Sequence, residues 1–326
     1  HMAQLKTTFA GLTLENPIII SSSGLTNSVE KIKKLEEAGA GAVVLKSVFE
    51  EQINIQAGTM SGYGSPEADD YLGAYVRSNT LNEHVNLIRE AKKACKIPVI
   101  ASINCYSDNE WTEFAKIMEE AGADALEINI LALQTDKDYT PGKFEQQHID
   151  TLRHIRQAVR IPVIMKLGAN LTNPVALINQ LYANGAAAVV LFNRFYQPDF
   201  NIETLTYCNT NVMSTKAELA DRLRWTAIAS AAIPQLDYAI SGGVHCGKGV
   251  IKSILAGATA VEVCSAIYQY GPKEIESMKK ELTEWMDDKG FENLAQFKGK
   301  MNANTAGSVN PFERTQFMKY YSNHEE

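Results

Sequence analysis

Residues 120–134 read Glu-Ala-Gly-Ala-Asp-Ala-Leu-Glu-Ile-Asn-Ile-Leu-Ala-Leu-Gln. Gly122 suits the left-handed position that ends a helix, and the small residues beside it let the next element start close by. The run 125–130 is nearly continuous in apolar residues, which is typical of a strand covered on both faces. The stretch therefore predicts a helix, a tight turn and a buried strand that delivers Asn129 and a loop to one end of a sheet.

The same arrangement recurs along the chain. Similar turns at Gly39, Gly185 and Gly257 each lead into an apolar run. Because these runs alternate with amphipathic helical segments, the sequence predicts an α/β fold of eight β-then-α units, a TIM (β/α)8 barrel. The predicted strands are Pro17–Ser21, Ala42–Ser47, Val99–Asn104, Ala125–Ile130, Val163–Leu167, Ala187–Asn193, Ala239–Val244 and Val261–Ala266.

The composition favours one globular domain with a small, soluble partner. The chain has 326 residues, 45% of them hydrophobic, and a net charge of −7, which offers no basic surface for nucleic acid or an anionic membrane. We find no apolar run of about 20 residues and no secretion signal, so we expect no membrane association. Five scattered cysteines without a C-x-x-C pair indicate reduced thiols, no metal site and a cytoplasmic location. We expect the barrel to occupy residues 1–302 and a tail, 303–326, to pack on the barrel or on a partner subunit.

Polar residues stand at the carboxyl ends of the predicted strands, which is where TIM barrels carry their chemistry. So many polar groups on one rim must satisfy one another or a ligand. They are Ser21 to Gly24, Lys46-Ser47, Asn104-Cys105, Asn129, Lys166, Asn193-Arg194, Ser241 to Gly243 and Cys264-Ser265.

Two of these rim features indicate a phosphorylated, redox-active cofactor. The loops after strands seven and eight of such barrels commonly hold a phosphate through backbone N–H groups, and here they contain Gly242, Gly243 and Ser265. Lys46 and Lys166 would point into the mouth, where a cation can stabilise negative charge on a reduced aromatic cofactor.

Taken in order, the motifs resemble the dihydroorotate dehydrogenase family, nearest its class 1 branch. The resemblance covers residue 5 to about residue 300, and the order and spacing of the motifs are more specific than any one of them. The motifs are Asn16-Pro17, Ser23-Gly24, Leu45-Lys46-Ser47, Glu127-Ile128-Asn129, Met165-Lys166-Leu167, Ser241-Gly242-Gly243-Val244 and Lys289-Gly290-Phe291 followed by Phe297-Lys298-Gly299.

The resemblance implies an FMN-containing barrel. It places Ser22 to Gly24 against the flavin ring and the two lysines beside its electron-rich edge. Ser214 stands where the family tends to have glycine. The implied cofactor-binding residues are Ser22, Ser23, Gly24, Lys46, Ser47, Asn104, Asn129, Lys166, Ser214, Gly242, Gly243, Cys264 and Ser265.

The resemblance also implies an activity and an assembly. The family oxidises dihydroorotate by hydride transfer to flavin in pyrimidine biosynthesis, and it favours a homodimer. Asn129, Asn193 and Arg194 would contact the substrate, although a strand-end arginine can instead pair with a neighbouring helix. The electron acceptor stays open among fumarate, quinone and a partner subunit, since no dinucleotide fingerprint or iron–sulfur cysteine cluster is present.

The sequence departs from the family at the catalytic base. Where the family has Ser-Cys-Pro-Asn or Ser-Ser-Pro-Asn, residues 131–134 read Leu-Ala-Leu-Gln, and the base position is Ala132, which cannot take a proton. The Pro-Gly-Lys that follows in the family stands about five residues late, at 141–143. The loop after strand two carries Glu67, Asp69 and Asp70 where the family has asparagines.

These departures leave three hypotheses open. The first keeps dihydroorotate or a related dihydropyrimidine as substrate, with Lys46 beside the flavin and a substitute base. Cys105 is the first candidate for that base, unless it is an inert buried thiol; Asp138 and Tyr139, or His148, are others, unless they only face solvent or cap a helix. The second keeps FMN but changes the substrate, and the third is a flavin-binding barrel that has lost turnover. We further expect Glu127 to face away from the barrel mouth as a structural charge.

Overall fold

A computed structural model describes residues 2–49, 81–105, 111–195, 197–209, 213–304, 310–313 and 318. Its centre is a closed parallel barrel, which confirms the predicted TIM fold. Eight strands close in the order β3, β4, β6, β7, β8, β9, β12, β13 and back to β3. They are β3 (Ile18–Ile20), β4 (Ala42–Val44), β6 (Val99–Cys105), β7 (Ala125–Ile130), β8 (Val163–Gly168), β9 (Ala188–Asn193), β12 (Asp237–Ser241) and β13 (Ala260–Val263).

Helices cover the outside of the barrel and follow the strands along the chain. The four predicted turn glycines all have positive φ, from +97° to +124°, so the repeated helix-to-strand turn is confirmed. The helices are α1 (Val29–Glu37), α2 (81–94), α3 (Trp111–Glu120), α4 (Lys143–Ala158), α5 (Pro174–Ala183), α6 (Leu219–Ala232), α7 (Gly247–Ala256), α8 (Ser265–Tyr270) and α9 (Lys273–Lys289).

Three predicted strands end three residues too late, in each case because the chain leaves the sheet near the rim. The second strand ends at Val44, and a two-residue strand, β5 (Val48–Phe49), resumes pairing with β6. The seventh ends at Ser241, since Gly242 turns the chain away with φ of +96°. The eighth ends at Val263, and residues 265–266, predicted as strand, begin α8.

Two antiparallel hairpins were not predicted. The first joins β1 (Thr7–Phe9) to β2 (Leu12–Leu14), and its Phe9 and Leu14 pack against the inward-facing apolar residues at the amino ends of the barrel strands. The second joins β10 (Pro198–Asn201) to β11 (Thr206–Asn209) after β9. Within the described residues, the first hairpin covers the amino ends of the strands, so the polar interior lies towards their carboxyl ends.

The chain after α9 returns to the barrel wall. The amides of Gly299 and Met301 donate to carbonyls in α7, and the amide of Ala303 donates to the Ala227 carbonyl in α6. Most of the tail 303–326 lies outside the described residues, so its packing role and the boundary at 302 stay predictions. In the described part of the chain, we find no helix of the length and apolarity that crossing a membrane requires.

Candidate active site

Strand register brings the predicted polar residues together at the mouth. Asn104 pairs with Asn129 across β6 and β7, and Asn129 pairs with Lys166 across β7 and β8. Because side chains alternate along a strand, Glu127 lies on the same side as Asn129, one layer deeper. The expectation that Glu127 faces away from the mouth is therefore wrong, since residues two apart share a face.

Hydroxyl and amide groups form a neutral chain across one side of the interior. Ser22 Oγ lies 2.9 Å from Ser47 Oγ, which lies 2.5 Å from Ser102 Oγ. Asn129 Nδ2 donates to Ser102 Oγ at 3.4 Å, and no hydrogen-bond partner for Asn129 Oδ1 is found among the described residues. A buried amide oxygen without a donor is available to a ligand. Ser102 was missed, although its inward position two residues before Asn104 could have indicated it.

The other side of the interior carries full charges. Lys166 Nζ lies 2.9 Å from Glu262 Oε1, and the two side chains are only 9% and 1% exposed. Glu127 is equally buried, and its carboxyl group lies close enough to that of Glu262 for each to shift the pKa of the other. Glu262 was also missed, although a lone carboxylate in the apolar run 260–263 is a detectable signal.

These buried groups shift one another's ionisation. Burial raises the pKa of Glu127 well above its usual value, and the charge of Glu262 raises it further. Burial alone would raise the pKa of Glu262, but the charge of Lys166 and the hydrogen bond with Glu127 bring it below its usual value. Burial alone would lower the pKa of Lys166, and the two carboxylates outweigh that effect and raise it. The arrangement indicates a charged lysine, an ionised Glu262 and a protonated Glu127.

A glycine turn faces this cluster across the mouth. Gly242 and Gly243 have φ of +96° and +86°, and a Cβ on Gly243 would stand 2.5 Å from the backbone nitrogen of Leu219. Only glycine fits this turn, which lets a ligand approach the backbone closely. Both glycines, Lys166 and Cys264 line one cleft of about 140 Å³.

Ser214, Ser265 and His245 meet beside the glycine turn. The Ser214 amide donates to Ser265 Oγ at 2.9 Å, and Ser214 Oγ lies 2.7 Å from His245 Nε2. The hydroxyls and the nearby backbone can donate hydrogen bonds to a phosphate. His245 was missed, although it follows the predicted phosphate loop by two residues. The set fits the phosphate of FMN, and Asn129 with Lys166 fits its ring.

Other predicted site residues have partners of their own. Arg194 pairs with Glu218 at 2.7 Å and donates to the Met213 carbonyl, which is the pairing alternative left open for it. Asn193 Nδ2 reaches the Lys166 carbonyl at 3.5 Å. Ser23 caps the turn that begins at Gly24 by accepting from the Leu25 amide. Lys46 has an exposed side chain, and its carbonyl hydrogen-bonds to the buried His84.

The candidate bases lie apart from one another. Cys105 is buried in the layer between strands and helices, and Asp138 is exposed beside Lys137. Tyr139 Oη accepts from the Phe144 amide at the start of α4. His148 is 1% exposed and its Nδ1 contacts the Phe144 carbonyl at 2.7 Å, so the expectation that it caps a helix or faces solvent is wrong.

Two loops separate this site from the family pattern. Ala132 is half-buried, and its carbonyl accepts from Asn170 Nδ2 at 2.9 Å. No side-chain base stands at that position. The acidic residues predicted for the other loop, Glu67, Asp69 and Asp70, lie outside the described residues.

Comparison with known proteins agrees with the motifs and the fold. The family described as dihydroorotate dehydrogenase matches residues 4–286. A dihydroorotate dehydrogenase B (NAD(+)) catalytic subunit from Thermoplasma volcanium is 30% identical, over 91% of this chain and 98% of the relative. The NAD-dependent dihydropyrimidine dehydrogenase subunit PreA of Escherichia coli K12 is 24% identical, over 92% of this chain and 77% of the relative. The chain therefore belongs to the dihydroorotate dehydrogenase family, whose members are oxidoreductases acting on CH–CH groups.

Proposed function

We propose that this protein binds FMN and oxidises dihydroorotate or a related dihydropyrimidine. The observation that carries the proposal is the alignment of Asn104, Asn129 and Lys166 on three adjacent strand ends, opposite the Gly242-Gly243 turn. When bound, FMN supplies the hydride acceptor, and the protein supplies orientation and charge.

Each part of the site has a proposed task. Gly242, Gly243 and Ser265 hold the phosphate, with Ser214 and His245 supporting Ser265. Asn129 offers its unpaired amide oxygen to the flavin or substrate, and Lys166 places a positive charge beside the ring. Arg194 is held by Glu218 and borders the same cleft, so it positions the rim near the substrate.

The direct test is colour. Protein loaded with FMN should be yellow, and anaerobic addition of dihydroorotate should bleach it as hydride reaches the flavin. A colourless protein that cannot be reconstituted with FMN would contradict the cofactor assignment. A yellow protein that no dihydropyrimidine bleaches would favour the flavin-binding barrel without turnover.

A second candidate substrate is a dihydropyrimidine without a carboxylate. Ala132 at the base position argues against ordinary dihydroorotate chemistry, because the family's base for that substrate is absent. The relative named as a dihydropyrimidine dehydrogenase subunit is consistent with this alternative. Bleaching by dihydrouracil but not by dihydroorotate would decide for it.

Restoring the base separates the two substrates. Ala132→Ser or Ala132→Cys should raise dihydroorotate turnover by about 100-fold or more if only the base is missing. The control Leu133→Ser adds a hydroxyl one residue away, on an exposed side chain, and should change turnover little. Equal turnover in Ala132→Ser and Leu133→Ser would show that dihydroorotate is not the substrate.

The assembly and location follow from the same proposal. The relatives' names as subunits support a separate partner that carries electrons onward, as one of the acceptors left open above. We propose a cytoplasmic homodimer that such a partner can join. Light scattering of the purified protein at micromolar concentration tests the dimer, and a monomeric mass would contradict it.

A further inference from the structure

The charged side of the barrel interior holds one more carboxyl group than its lysine can neutralise. Lys166 on β8 and Glu127 on the adjacent β7 project into the interior, where Lys166 reaches Glu262 on β13, and all three side chains are nearly inaccessible to water. With both glutamates ionised, the group would carry an uncompensated negative charge in the interior. Burial of such a charge is strongly unfavourable unless the group takes up a proton.

The hydrogen bonds point to where that proton resides. Within the described part of the chain, neither oxygen of Glu127 nor Oε2 of Glu262 has a hydrogen-bond partner, and the Asn129 amide has the smallest of the effects on the Glu127 pKa. A proton on Glu127 supplies the missing donor, because the two carboxyl groups lie close enough to shift each other's pKa. One proton therefore satisfies both the charge balance and the unpaired oxygens.

We propose that Glu127 and Glu262 share one proton and form, with Lys166, a cluster without net charge beneath the cofactor site. The effect on FMN rests on the proposed function, whereas the proton sharing does not. Lys166 and Glu262 line the same cleft as the glycine turn. The positive charge offered to a reduced flavin is therefore already balanced by a fixed carboxylate, and Glu262 acts as a positioning residue that limits this stabilisation.

The surroundings of the pair are compatible with this arrangement. Among the described residues, the groups that face it are Lys166, Ser102 of the neutral chain, Asn129 one layer above, and Cys264 after β13. Burial raises the pKa of the Cys264 thiol, so it adds no negative charge at neutral pH. The raised pKa of Glu127 and the lowered pKa of Glu262 agree with one shared proton.

A proton shared by Glu127 and Glu262 predicts different results for the single and the double variants of these two residues. In Glu127→Gln the remaining Glu262 still balances Lys166, and in Glu262→Gln the remaining Glu127 ionises and does the same. Only the double variant leaves Lys166 unbalanced. Two coupled acids that share a charge respond as a pair, so their removal is not additive.

The first test uses the protein without FMN. Infrared spectroscopy at neutral pH should show the C=O band of a protonated, buried carboxyl group in the unmodified protein. The band should disappear in both Glu127→Gln and Glu262→Gln and persist in the exposed control Glu284→Gln. Absence of the band in the unmodified protein, or its persistence in Glu127→Gln, would overturn the proposal.

The second test uses protein loaded with FMN. At a fixed electrode potential, the ratio of reduced to oxidised flavin in each single variant should stay within about twofold of the unmodified protein. In Glu127→Gln/Glu262→Gln it should rise at least about tenfold, which corresponds to about 30 mV for two electrons. Equal, additive rises in the single variants would show that both carboxylates are ionised. A rise in Glu262→Gln equal to that in the double variant would show that Glu127 does not share the charge.

The two tests fail independently. A protein that takes up no FMN contradicts the proposed function, and the infrared bands of the apoprotein still decide whether the proton is shared. If the double variant does not fold, the infrared bands and the flavin ratios of the two isosteric single variants decide the proposal.

Discussion

The two sides of the barrel interior satisfy their buried polar side chains with different chemical groups. The neutral side links Ser22, Ser47, Ser102 and Asn129 through hydroxyl and amide groups, whereas the charged side links Lys166 to two carboxyl groups. A hydroxyl both donates and accepts, so a serine chain can reverse its hydrogen bonds without moving a charge. A buried ion pair has no such freedom, because removing one partner leaves the other charged and unsolvated. The neutral side should therefore tolerate change better than the charged side.

The largest effect is expected from removing the lysine. Lys166→Met leaves the carboxyl pair with a negative charge, and we expect a loss of about 3–5 kcal/mol of unfolding free energy. Urea denaturation measures it, with the exposed Lys248→Met as a control that should change little. Adding Glu262→Gln to Lys166→Met should restore part of the loss. A loss below about 1 kcal/mol in Lys166→Met would erase the contrast between the two sides.

Acid should place a charge beside the neutral side. Burial lowers the pKa of His84 from 6.5 to about 4, and its hydrogen bond to the Lys46 carbonyl only partly opposes this. A lowered histidine pKa stabilises the fold above pH 6.5, and this contribution is lost as pH falls towards 4. His84→Gln should therefore flatten the pH profile of unfolding free energy by about 3 kcal/mol over that window. The exposed His154→Gln is the control, and an equal flattening there would contradict the assignment to His84.

A smaller effect is expected within the neutral chain. Ser102→Ala removes the partner of Ser47 Oγ and of Asn129 Nδ2, and we expect it to cost about 1–2 kcal/mol in urea denaturation. Ser47 keeps its bond to Ser22, which limits the loss. If Ser102→Ala lost as much unfolding free energy as Lys166→Met, the neutral side would tolerate substitution no better than the charged side.

The smallest effect is expected from an ion pair of similar length near the surface. Lys92 Nζ lies 2.8 Å from Asp124 Oδ2, and these side chains are 31% and 28% exposed. Because water screens this pair, Lys92→Met should cost only about 0–1 kcal/mol. Comparing it with Lys166→Met isolates burial as the variable. Similar costs for the two variants would contradict the role assigned to desolvation.

Much of the fold was predictable because the barrel strands are short, apolar and separated by repeated glycine turns. Strand β7 was predicted with both ends correct, and the Gly122 turn has the expected conformation. The rim was harder, since Gly242 and Cys264 leave the sheet through backbone geometry that apolar patterning does not encode. The hairpins β1–β2 and β10–β11 have too few residues for a clear alternation.

Site residues that stand at strand ends within a family motif were predictable from the sequence. Contacts between side chains from strands far apart in the sequence were not. Lys166 and Asn129 were identified from strand ends and the family motif. The contact between Lys166 and Glu262 joins residues 96 positions apart, and nothing local in the sequence indicates it. The inward position of Glu127, by contrast, follows from the two-residue alternation of β7, since Glu127 and Asn129 share a face.

The hairpin of β1 and β2 covers the amino ends of the barrel strands. In the described part of the chain, Phe9 and Leu14 block the bottom, which leaves the mouth as the path by which water reaches the carboxyl pair. A cofactor bound at the mouth would block this path, and the shared proton would then be isolated from bulk solvent. After transfer into D2O, the shared proton should exchange more slowly in the FMN-loaded protein than in the apoprotein. Its exchange rate would then report how often the cofactor dissociates.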